Sequence, residues 1–254
     1  LNDESVMGIS LMNMNFGDIL RTTSDNPGGS LGTFTPSYTI LGLQYSKSFT
    51  TSISGGINIK IINESTPELS ASGVAVDVGV QYFTGDNDEI KFGISLKNVG
   101  TKMSFSGDGD DIRLTNKSTT GSEFDQSYEY RAAEFELPTQ MIISGSYDFL
   151  LDEKNRITPS LAFVSNSFTK DNFSVGFGYG YESMLKVHAA YDYQTEIFSD
   201  YDNGRTTALT GLSAGLEVML PFGVAKDKQI SLSYSYRSAD PLDAPNAIGI
   251  NLHL

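Results

Sequence analysis

Few residues of this chain are of a type that does chemistry. Histidine occurs twice, at His188 and His253, and cysteine not at all, which excludes thiolate nucleophiles, disulfide frameworks and cysteine-ligated metals. His188 and Asp192 share one face of an extended segment, an arrangement that could serve a proton relay or a catalytic pair. At roughly 3.3 Å per residue their Cα atoms stand about 13 Å apart, too far for direct contact. Ordinary lining of a polar face is the plainer reading of both. A hydrolase would need a Ser or Asp beside His188 or His253 and is set aside. Asp108, Asp110 and Asp111 lie in a Gly-rich run that could hold Ca²⁺, a cation that prefers oxygen ligands. The Glu that closes an EF-hand loop is missing, so a solvated acidic loop is expected there. No Gly-rich phosphate cradle precedes a helix, and no helix is read anywhere, so no cofactor is expected.

What positions these residues is a series of strands with period-two alternation, in which i, i+2 and i+4 share a face. Ile53, Ile57, Ile59 and Ile61 alternate with Ser54, Gly56, Asn58 and Lys60. Val74, Val76, Val78, Val80 and Tyr82 alternate with Ala75, Asp77, Gly79 and Gln81, and Ile90, Phe92, Ile94 and Leu96 with Lys91, Gly93, Ser95 and Lys97. Phe173 to Tyr181, Leu185 to Tyr193, Ile230 to Arg237 and Ile248 to Leu254 repeat the pattern. Weaker strands run from Val6 to Phe16, Tyr38 to Ser46, Thr139 to Phe149, Ile157 to Asn166 and Leu209 to Leu220, which makes about a dozen. Apolar parity slips between Leu11 and Met12, which predicts a bulge or the end of the apolar face. Pro159 removes a ladder donor, so its strand is expected to start irregularly.

The polar face of these strands carries Lys60, Asp77, Lys91, Lys97, Asp148, Lys186, His188, Asp192 and Glu217, a mixed set able to pair across neighbouring strands. A sheet with one apolar and one charged face, in runs near the 9 to 11 residues of a tilted membrane strand, predicts an all-β fold, a transmembrane antiparallel up-and-down β-barrel with a polar lumen. Mean hydropathy of −0.19 is compatible with this, because every second side chain faces water. No stretch approaches a membrane helix, and no signal segment follows Leu1, so an exported protein is expected here in mature or truncated form. A net charge of −14 argues against a nucleic-acid partner and suits acidic loops beside outer-membrane lipid.

Connection lengths alternate as such barrels require. Turns at 223–228, 182–184, 150–155, 85–88 and 47–50 are compact and predicted periplasmic. Those at 17–36, 63–72, 100–138, 195–206 and 239–246 are longer and predicted extracellular, with 167–172 a short exception. No linker or composition shift divides the chain, so 1–254 reads as one barrel domain.

Several stretches carry a resemblance: Asn15 to Ile19 (NFGDI), Leu31 to Phe34 (LGTF), Ala71 to Tyr82 (ASGVAVDVGVQY), Phe92 to Gly100 (FGISLKNVG), Glu136 to Pro138 (ELP) and Gly211 to Leu216 (GLSAGL). In these the chain resembles the PorV/PorQ family of Bacteroidetes outer-membrane proteins, which are similar in fold to the fatty-acid transporter FadL. Members resemble barrels of about fourteen strands preceded by a segment that enters the lumen. Either the first hairpin and that plug lie outside this chain or the count of a dozen is short. The resemblance implies a non-enzymatic role in type IX secretion, with the large translocon barrel and the C-terminal signal domains of cargo as partners and surface attachment as the destination. The alternative it implies is FadL-like passage of hydrophobic small molecules.

Overall fold

The computed structural model describes residues 4–22, 26–28, 31–107, 109, 111–117, 123–129, 132–182, 184–200, 204–222 and 228–253. The elements are β1 (Ser5–Asn15), β2 (Ile19–Leu20), β3 (Thr33–Phe34), β4 (Ser37–Ser48), β5 (Ile53–Ser65), β6 (Ser70–Thr84), β7 (Ile90–Gly100), β8 (Asp111–Lys117) and β9 (Glu123–Glu129). They continue with β10 (Gln140–Tyr147), β11 (Phe149–Leu150), β12 (Asn155–Asn166), β13 (Asn172–Tyr181), β14 (Leu185–Gln194), β15 (Leu209–Phe222), β16 (Lys228–Ala239) and β17 (Asn246–His253). Every one of the dozen predicted strands is present.

The strand order is β1-β4-β5-β6-β7-β10-β12-β13-β14-β15-β16-β17, with β11 beside β12. Apart from short excursions, each strand lies next to its sequence neighbour, the up-and-down arrangement that compact turns enforce. The chain forms two compact units. One comprises residues 1–47, 56–78 and 97–137, the other 48–55, 79–96 and 138–254. In the second, antiparallel ladders run unbroken through β12–β13 and β13–β14, for example Leu161↔Val175↔Tyr191. Alternation sets which face each side chain takes: Phe92, Ile94, Phe177, Leu232 and Ile250 are all more than half exposed on the apolar face.

Two differences from the sequence reading, and the choice it left open in β1, have physical causes. The slip between Leu11 and Met12 marks the end of the apolar face, where Asn13 follows Leu11 on that face, rather than a bulge, since β1 pairs β4 in one register from Ser5↔Lys47 to Asn15↔Ser37. Met12 and Met14 face the other way because they stand opposite Ile40 and Tyr38, both apolar positions on the nominally polar face. Around Pro159, β12 itself is continuous. Its partner is the one that breaks, at Asp148 between β10 and β11, where the Asp148 N–H donates to the Glu89 carbonyl at 2.8 Å. The connection expected over 63–72 is a tight turn at 66–69, because β5 and β6 run on as polar strands to Ser65 and from Ser70. The long connection after β7 also holds a separate β8–β9 hairpin.

A bulge lies in β15, where the register with β16 shifts between Leu209 and Ser213. Gly211 makes it with a φ of +96°, and a Cβ there would meet the Asp192 carbonyl oxygen at 2.5 Å. Gly211→Ala is therefore expected to destabilise the chain by about 1–3 kcal/mol, read as a lower thermal midpoint on heat-modifiable gel shifts.

Candidate functional site

On the polar face, charged side chains pair at short range within each unit. In the first unit, Lys60 on β5 reaches Asp77 on β6 at 2.6 Å, and Asn58 Nδ2 donates to the same carboxylate at 3.0 Å. Asn98 completes this group. Strict alternation points it the other way, but its φ of +59° lets its N–H donate to Asp77 at 2.8 Å while its side-chain oxygen accepts from Lys60. Asn tolerates that left-handed conformation better than most residues.

In the second unit, Asp148 is 7% exposed and is held by Lys91 at 2.6 Å, Thr158 Oγ1 at 2.6 Å and Arg156 at 3.4 Å. Lys186 pairs with Glu217 across β14 and β15 at 3.2 Å, as their direct register opposition predicts. Asp192 accepts from Ser174 and lies 3.8 Å from Arg237. His188 instead sits over Gly178, whose added Cβ would lie 3.1 Å from its Nδ1. The two residues singled out as a relay thus have separate partners. Lys97 is exposed on β7. A cavity of about 360 Å³ in the second unit is lined by Lys91 together with Ser144, Ser146, Ser160, Ala162 and Ser174.

Asp108 and Asp110 lie outside the described residues, as does the side chain of Asp111, and the same holds for the side chain of His253. Among the described residues no group of three or more His, Cys, Asp or Glu could hold a metal ion. Arg156, Thr158, Asn98, Ser174 and Arg237 were not singled out from sequence. Ser174 stands in register with Asp192, whereas Arg237 reaches the same carboxylate from β16, two strands away; alternation encodes neither pairing.

The two ends of the strands differ. At the short-turn end, Asp152 accepts from the backbone N–H groups of Lys154 and Asn155 at 2.8 and 2.7 Å and from the Asn155 amide. The Lys154 N–H, then the Asn155 side chain and N–H, hold the Asp152 carboxyl below its ordinary value. A depressed carboxyl contributes stability that is present above its unfolded pKa and lost as pH falls through the folded one. An NMR titration is expected to place the Asp152 midpoint below that of an ordinary exposed Asp.

At the other end, three connections, one short and two longer, are lashed together. Lys170, between β12 and β13, pairs with Glu196 and donates to the Gly204 carbonyl at 3.0 Å, both between β14 and β15. Arg205 carries the tie onward to Asp240, beyond β16, donating to its carbonyl at 2.5 Å and its carboxylate at 3.1 Å. Beneath them Gln194 donates to Thr206 at 2.7 Å and Ile197 is buried.

Antiparallel up-and-down strands with an apolar face outward, a largely neutralised charged face inward, and the longer connections all at one end define an outer-membrane β-barrel. Solved structures support that fold. The Pseudomonas putida toluene transporter TodX is 13% identical, with 99% of this chain and 78% of that chain covered and a TM-score of 0.56. A Pseudomonas aeruginosa FadL homologue is 11% identical, with 94% and 68% covered and a TM-score of 0.50. Among curated proteins none matches this chain. Residues 2–240 match the family described as Type IX secretion system membrane protein PorP/SprF, and the chain belongs to that family. The secretion system is the one that the resemblance implied, under a different member name from PorV/PorQ.

Proposed function

We propose that this chain is a non-enzymatic barrel domain over 1–254 with its long loops extracellular and its C-terminus periplasmic. Its loop end binds the type IX translocon, the C-terminal signal domain of secreted cargo, or both, in a PorV-like manner that delivers cargo to surface attachment. The observation that carries this reading is the lash from Lys170 through Glu196 and Gly204 to Arg205 and Asp240, which ties three loops into one surface. Loops on a rigid scaffold are where recognition is usually placed, and pre-ordering them lowers the entropy lost on binding. Membership of a secretion-system family supplies the class of partner. Lys60, Asp77, Lys91, Lys97, Asp148, Lys186, His188, Asp192 and Glu217 are then lumen lining, mostly neutralised in pairs, rather than a reaction centre.

Affinity purification from native membranes in mild detergent tests this. Co-isolation of a very large barrel or of cargo signal domains is expected, and should weaken in a Lys170→Ala/Arg205→Ala variant. Recovery of bound lipid with no protein partner overturns the docking reading in favour of small-molecule passage.

A further inference from the structure

The inner face of β4, β5 and β6 is charged along only part of its length. Toward the long-loop end it becomes apolar, with Tyr38 and Ile40 on β4, Ile62 on β5, and Ala71 and Ala75 on β6. Ile62 is 2% exposed and Ala75 0%. The cover is the chain's own connection between β7 and β10. Met103, Phe105, Phe135 and Leu137, from its two ends, complete the cluster.

The attachment is specific and slight. Met103 and Phe135 exchange backbone hydrogen bonds at 2.9 and 2.8 Å, and Ser70 and Ser106 exchange theirs at 3.0 Å in each direction. Both are isolated bridges rather than ladders. The Phe105 and Phe135 rings stack at 5.6 Å. β6 is shaped to receive them, since a Cβ on Gly73 would fall 2.6 Å from Met103 Cγ. The wall beneath is held by continuous strand pairing, whereas these two segments are bridged to each other at Met103 and Phe135 and reach the wall through the Ser70–Ser106 bridge, the Thr101–Val74 hydrogen bonds at their base and a small apolar seal, which places them at the low end of local stability.

We propose that residues 101–106 and 134–137 form a hinged strap that closes the lumen along the β4–β6 wall at the loop end and swings away to open it. β8 begins five residues after Ser106 and β9 ends five before Glu134, so a partner that holds the hairpin pulls directly on the strap. That stimulus rests on the docking reading above. The strap itself does not, and its test needs no partner.

The purified full-length chain is reconstituted in planar bilayers and its conductance is recorded. Met103→Gly is expected to raise mean conductance several-fold, and Gly73→Ala, which displaces the Met103 side chain, to do the same. Met103→Leu should leave it unchanged. The chain has no Cys, so Ser70→Cys/Ser106→Cys introduces a single possible disulfide. Residues paired through two hydrogen bonds have Cα atoms about 5.5 Å apart, within disulfide range. Oxidation should abolish openings and a reductant restore them. Unchanged conductance in Met103→Gly with its heat-modifiable band intact overturns the strap, and so do openings that persist once the disulfide has formed. Should Met103→Gly fail to fold, Gly73→Ala gives the same reading. A strap that opens in a chain capturing no partner would leave this inference standing and the docking reading lost.

Discussion

Lys60→Met is expected to destabilise the barrel by about 3 kcal/mol, the lower part of the range for breaking a buried ion pair. Lys60 and Asp77 are mostly buried, at 11% and 20% side-chain exposure. Removing the ammonium leaves a carboxylate that must be rehydrated or neutralised within the wall. The remaining donors, Asn58 Nδ2 and the Asn98 N–H, stay in place and soften the loss without removing the charge. Lys60→Met/Asp77→Asn should recover most of the stability, because Asn carries no charge, its one amide oxygen still accepts from the Asn98 N–H, and its NH2 can donate to Asn58 Oδ1 once the Asn58 amide turns over. The two single changes and the double change form a cycle that isolates the pair. Circular dichroism during denaturant unfolding in detergent is the suitable readout, since the chain has no Trp. Equal stability of Lys60→Met and the double variant would show that the charge on Asp77 is well solvated.

The strands were legible because each buries one face, and alternation such as Ile53, Ile57, Ile59 and Ile61 persists for as long as that face meets a uniform environment. It fails where the environment changes. Ser65 and Ser70 extend β5 and β6 past the apolar belt, where no alternation is demanded, so the sequence reading took them for loop. Met12 and Met14 broke parity not through a backbone irregularity but because the inner face opposite them is apolar at Ile40 and Tyr38. That slip was the only sequence trace of the cluster under the strap. Met103 and Phe135 meet across 32 residues, a contact no local period encodes. The charged lining shows the same division. Lys60, Asp77, Lys186 and Glu217 could be placed on the right face from sequence, while the choice of partner depended on register. In one case it depended on the positive φ of Asn98, which turns an outward position inward.

The assignment of faces makes the second large prediction. Val175 stands mid-strand in β13 on the apolar face, between Leu161 and Tyr191 in register, and is 45% exposed in the isolated chain. In a membrane that exposure is to hydrocarbon. Val175→Arg is expected to destabilise the folded barrel by about 2–4 kcal/mol, the range for a basic side chain near the bilayer midplane. Ser144→Lys puts a similar charge on the opposite face, where Ser144 borders the serine-lined cavity. It should change stability by less than about 0.5 kcal/mol, as for a substitution in a solvated setting. Equilibrium unfolding in lipid vesicles measures both. The contrast carries the weight, because a general intolerance of added charge would affect both positions. A soluble sandwich would differ in one respect: Val175 would lie in a dry core or on a wet surface, and the penalty for Val175→Arg would not depend on bilayer thickness. Repeating Val175→Arg in vesicles of thinner lipid should reduce its penalty as the interface moves toward the charge.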